Sequence, residues 1–170
     1  MNELTTLKNE LTKVKALKHL HLDIPEINDK LEAGKAFGAI NDILDKFKTS
    51  LITLHLTVGG EGLDESAVYK KLFKSIGSIK NANDFSIQFT MNTFITRDFL
   101  SSLYEELTNL TKLTSLKILI NTWNLAPFKQ DYADVFGAAI KQMKDLEKIE
   151  LGGCLTVNEG TFAKVLRGID

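Results

Sequence analysis

Only three histidines occur among the 170 residues, at positions 19, 21 and 55, and they are the side chains best suited to acid–base or metal chemistry near neutral pH. His19 and His21 stand two apart in His19-Leu20-His21-Leu22, so an extended backbone puts both imidazoles on one face. His55 has the same apolar neighbours, in Leu54-His55-Leu56. Three converging imidazoles, with Asp23 or Asp84 as an oxygen donor, would form a ligand set for zinc or another divalent ion. The same rings merely side by side would repel on protonation near their usual pKa of about 6.5 and make a contact pH-sensitive. As solvated polar positions on a binding surface they would do neither, and spacing alone does not choose between the three.

Other candidates carry less chemistry. The one cysteine, Cys154, cannot close an internal disulfide, which agrees with a reducing compartment. No serine, cysteine and histidine are spaced as a nucleophile and its base, so no enzyme is expected. Gly59-Gly60-Glu61-Gly62 lacks the lysine-serine/threonine ending of a phosphate loop and is expected to be a flexible turn. Trp123, in Asn121-Thr122-Trp123-Asn124, is either a rim anchor for a partner or an inward cover on the end of the core. Acidic residues (22) nearly balance basic ones (21), so no overall field favours nucleic acid or an anionic membrane surface. No apolar run approaches the roughly 18 residues that span a bilayer, and the opening Met1-Asn2-Glu3-Leu4 lacks a secretory layout. A cytoplasmic or similarly reducing intracellular location is therefore expected, with no membrane insertion.

The elements that must position these groups follow from a repeated apolar stencil. L-x-x-L-x-L recurs as Leu17/Leu20/Leu22, Leu51/Leu54/Leu56, Ala82/Phe85/Ile87, Leu113/Leu116/Ile118 and Leu146/Ile149/Leu151, with starts 34, 31, 31 and 33 residues apart. A period of that size marks stacked supersecondary units. The alternation predicts strands near 17–23, 51–57, 82–90, 113–120 and 146–152. Upstream, Leu7/Leu11/Val14, Ile40/Leu44/Phe47, Leu72/Ile76/Ile79, Leu103/Leu107/Leu110 and Phe136/Ile140/Met143 keep the spacing of one helical face. Phe162/Leu166/Ile169 repeats it, predicting a half-repeat helix at 2–15 and a terminal helix at 158–169 around the single domain 1–170. Helix-then-strand repeats require parallel strands with helical crossovers, hence an α/β solenoid with five strands inside and about six helices outside.

The stencil resembles the leucine-rich repeat, L-x-x-L-x-L-x-x-N/C-x-L, and Asn121 and Cys154 match its ninth position. Pro25, Gly59 and Thr90 stand there in the first three units, so the family's asparagine ladder is incomplete. The long period, with Ala36-Phe37-Gly38-Ala39-Ile40 and Val135-Phe136-Gly137-Ala138-Ala139-Ile140, is similar to the ribonuclease-inhibitor-like branch, whose small residues let helix and sheet approach closely. The resemblance implies a right-handed α/β superhelix used as a protein-binding surface. On it the expected function is a non-catalytic interaction module, an accessory or scaffold subunit of a larger assembly, binding through the concave strand face and adjoining loops. His19, His21, His55, Asp84, Ser86, Lys117 and Glu150 fall on that face, with Trp123 on the rim. No cofactor and no metal are expected, and partners are proteins, with edge strands as a further route to assembly. The alternative is a metal-binding or pH-responsive protein using His19, His21 and His55. A third class, a structural filler, would make its contacts through the helices and sheet edges instead.

Overall fold

Strands form where apolar and polar residues alternate, because a pleated segment can then bury one face and leave the other in water. A computed structural model of the chain describes residues 2–27, 29–60, 66–91, 96–122 and 136–153. The elements run α1 (Asn2–Leu11), β1 (His19–Ile27), α2 (Lys30–Phe47), β2 (Thr53–Gly60), α3 (Ser66–Gly77), β3 (Asp84–Met91), α4 (Arg97–Leu107), β4 (Ser115–Thr122), a short helix α5 at 136–140, and β5 (Lys148–Gly153). All five strands are parallel, in the order β1-β2-β3-β4-β5, so the fold is α/β with helical crossovers between sheet neighbours. Five helical segments are described against the six or so expected, and the position of the sixth, 158–169, lies outside the described residues.

One face of the sheet carries the core. Leu54, Phe85, Ile87, Leu116 and Ile118 are fully buried, and they pack against Leu44, Leu72, Leu103 and their neighbours from the helices. Each such side chain contributes roughly 1.5–3 kcal/mol relative to exposure. Rings interlock where α3, α4 and β3 meet: Phe99 lies 5.0 Å from both Phe73 and Tyr69 and 5.1 Å from Phe89, each close to edge-on. Two helix starts are capped by side chains, Asp29 accepting from the Glu32 amide at 2.8 Å and Thr96 from the Phe99 amide at 3.2 Å.

The sequence-based boundaries shift in a regular way. Every strand begins two residues later than expected, because the amides of Leu51, Ala82, Leu113 and Leu146 turn back to the carbonyls of Phe47, Ile79, Leu110 and Met143. The helices α1, α3, α4 and α5 likewise stop short of Val14, Ile79, Leu110 and Met143, which lie in the turns that follow. Just before β1, β2, β3 and β4, one carbonyl accepts two successive amides of the next unit. Lys18 accepts from Ile52 and Thr53 at 2.8 and 3.0 Å, and Ile52 from Asn83 and Asp84 at 2.9 and 3.3 Å. Asn83 accepts from Thr114 and Ser115 at 2.8 and 3.0 Å, and Thr114 from Glu147 and Lys148 at 2.9 Å each. Side chains staple the same turns, with Asn81 donating to the Thr49 carbonyl and accepting from Lys112, both at 2.8 Å.

Two further expectations are corrected. Gly59 and Gly60 are not a turn but the end of β2, pairing with Thr90 and Ile27. Gly38 and Gly137 do not mark close helix–sheet contact, since a Cβ at either would meet nothing within 4 Å. The buried small residues are instead Ala33, Ala36, Ala39 and Ala139. Asn121 is exposed and does not point into the core, and Cys154 lies outside the described residues. No helix among the described residues is long and apolar enough to cross a membrane.

Candidate functional site

Because side chains alternate along a strand, burying Leu20, Leu54, Phe85 and Leu116 forces their neighbours onto the open face. The pairing register makes that face a grid. One row runs His19, Thr53, Asp84, Ser115, Lys148; the next runs His21, His55, Ser86, Lys117, Glu150. None of these ten residues is buried. The seven expected strand residues therefore share one surface, while Trp123 lies outside the described residues.

Lateral contacts tie the grid together. His19 Nδ1 lies 3.0 Å from Thr53 Oγ1, and His55 Nε2 lies 3.1 Å from Asp84 Oδ2, a diagonal step to the next strand. The His21 ring meets His55 edge-on, with centroids 5.8 Å apart. At the other end Lys117 Nζ pairs with Glu150 Oε1 at 2.6 Å. That hydrogen bond is the largest influence and holds the Glu150 carboxyl below the ordinary range; desolvation opposes it, and the charges of Lys117 and then Lys148 lower it further by lesser amounts. The sheet thus presents imidazoles and a carboxylate at one end and two ammoniums with a carboxylate at the other.

Between these ends lies an open depression of about 380 Å³, lined by His21, His55, Asp84, Ser86, Lys117 and Glu150 among others. Lys148, Ser115 and Gln88 line it too, although sequence reasoning did not single them out. Their strand phase, shared with Lys117 and Ser86, already sets them on this face in the sequence pattern. The three histidines do not converge on one point: His19 engages Thr53 and His55 engages Asp84. Among the described residues no group of three or more histidine, cysteine, aspartate or glutamate side chains is arranged to hold a metal ion. Comparison of the sequence with known protein families and with curated proteins returns no match.

Proposed function

We propose that the chain is a non-catalytic protein–protein interaction module, a short leucine-rich-repeat solenoid of the ribonuclease-inhibitor-like kind, serving as an accessory or scaffold subunit of a larger intracellular assembly. The repeated stencil and the strictly sequential parallel sheet support the solenoid reading. The observation that carries the functional reading is the open face itself: ten polar or charged side chains in two rows around a broad depression, seven of them in lateral contact with a neighbour. Such a surface is pre-ordered, so a partner loses little affinity to freezing side chains on docking. Its alternating charges select among partners more than they add raw affinity.

The test exploits the Lys117–Glu150 pair. Exchanging the two as Lys117→Glu with Glu150→Lys keeps an ion pair but reverses its direction, so the thermal melt stays unchanged while the pattern offered to a partner inverts. Proteins captured by the tagged chain should be lost, or bound roughly tenfold more weakly, by this double variant. A control change on the helical side, Glu105→Lys, should leave capture intact. Capture that is indifferent to the exchange but lost with the control would reject the open face as the binding surface.

A second reading, a pH-responsive contact, is favoured by the edge-on His21–His55 rings beside Asp84. It requires partner affinity to fall on mild acidification, and that change to vanish in a His21→Gln, His55→Gln chain.

A further inference from the structure

The step between units, one carbonyl accepting two successive amides, is repeated four times and, among the described residues, continues at neither end of the sheet. Among the described residues the amides of Lys18 and His19 have no preceding carbonyl, and the Glu147 carbonyl has no following amides. The strand polarity continues this match. Thr53, Asp84, Ser115 and Lys148 all donate toward the preceding unit, and backbone groups alternate sides along a strand. His19, His21 and Asp23 therefore turn their N–H and C=O groups to the open edge of β1, as Ile149 and Leu151 do at the open edge of β5.

The apolar residues at the two ends are incomplete in the same sense. Leu20 and Leu22 keep 7% exposure where Leu54, Phe85 and Leu116 keep none, and Leu17, Leu146, Ile149 and Leu151 are only partly buried. Beyond Ile24 the β1 edge closes itself off: the register shifts between Ile24 and Ile27, and Pro25 has no N–H to offer. The regular edge from His19 to Ile24 carries no such protection.

We propose that the β5 edge of one copy of this chain pairs with the β1 edge of a second copy, parallel and in the register the internal strands keep. That register sets Lys148 beside His19, Glu150 beside His21, and Ile149 and Leu151 beside Leu20 and Leu22. The occupant is a second copy because the orphaned acceptor at one end and the orphaned donors at the other are related by the same step that joins each unit to the next. A carboxylate then meets an imidazole, and apolar residues meet apolar residues, on the faces where each belongs. The contact is head-to-tail, so it leaves a free edge at each end of the pair and adds copies in a row. The contact is made by the backbone edges of β1 and β5 and shares with the open face only the side chains at its two ends, His19, His21, Lys148 and Glu150, so a chain that stays monomeric yet still captures its partner refutes the edge contact alone.

Sedimentation velocity on the intact chain, from low to high micromolar concentration, tests the proposal. Mass should rise with concentration past that of a dimer. His21→Pro blocks only the β1 edge, since the lost N–H faces away from β2, and Ile149→Pro blocks the β5 edge. Each variant alone should be monomeric, and their equimolar mixture should give a heterodimer and nothing larger. A His21→Ala control should still associate. If a proline variant fails to fold by circular dichroism, amide hydrogen exchange on the unaltered chain decides: protection at His21, Asp23 and Ile149 must rise with concentration while Leu54 does not change. A chain monomeric at every concentration, exchange independent of concentration, or self-association by His21→Pro equal to that of the unaltered chain would each overturn the proposal.

Discussion

Glu150 owes its lowered pKa first to the hydrogen bond from Lys117. A carboxyl lowered on folding stabilises the folded chain above its ordinary range, and that contribution disappears as pH falls through the folded-state value. Carbon-detected NMR titration should therefore place Glu150 below its ordinary 4.5, and Lys117→Ala should move it back toward that value. Asn41 is a different case: it is 2% exposed, and its Oδ1 has no hydrogen-bond partner among the described residues. Replacing Asn41 with leucine removes an unsatisfied buried acceptor while keeping the number of side-chain heavy atoms, and should raise stability by about 1 kcal/mol in urea unfolding. The grouping of His19, His21 and His55 on one face was legible in the sequence because strand phase and repeat register are periodic. The diagonal bond from His55 to Asp84 was not, since it depends on rotamers that no periodicity encodes.

Helices and strands were legible in kind and order, and less so in extent. Leu51 and Leu113 looked like first strand residues because they are fully buried, yet they close the preceding turn. An apolar pattern reports burial and cannot distinguish a buried turn from a buried strand. The glycines divide in the same way. Gly38 lies within α2 with open space where a Cβ would stand, so Gly38→Ala should stabilise the chain by roughly 0.5–1 kcal/mol through helix propensity. Gly77 ends α3 against α4, where an added Cβ would come within 2.9 Å of the Glu106 carbonyl oxygen. Gly77→Ala should cost about 1–3 kcal/mol, read as a lowered thermal midpoint. Opposite signs from one substitution type separate helix propensity from helix-to-helix distance.

For the molecule as a whole, the core sets the alkaline limit. Tyr104 is 1% exposed, its ring 4.8 Å from that of Phe136, and burial pushes its phenol well above the ordinary 10.0. A group whose folded-state pKa is raised leaves stability intact below its ordinary value and erodes it above, because the unfolded chain ionises first. Unfolding free energy should therefore fall as pH rises past 10.0, and fall less steeply in Tyr104→Phe. The parallel five-stranded sheet and its helical crossovers followed from the 31–34-residue period, whereas the charges that meet across the sheet required the register of every pair.

The one-carbonyl, two-amide step also has a mechanical consequence. Each internal unit is bonded to the unit before it and the unit after it, so tension applied to the chain termini is borne by one junction at a time. Pulled in an optical trap, the chain should yield in a sawtooth of similar extensions, each releasing on the order of 11 nm, the contour length of about 32 residues. A row of edge-paired copies would then behave as a tether that lengthens in equal increments under load.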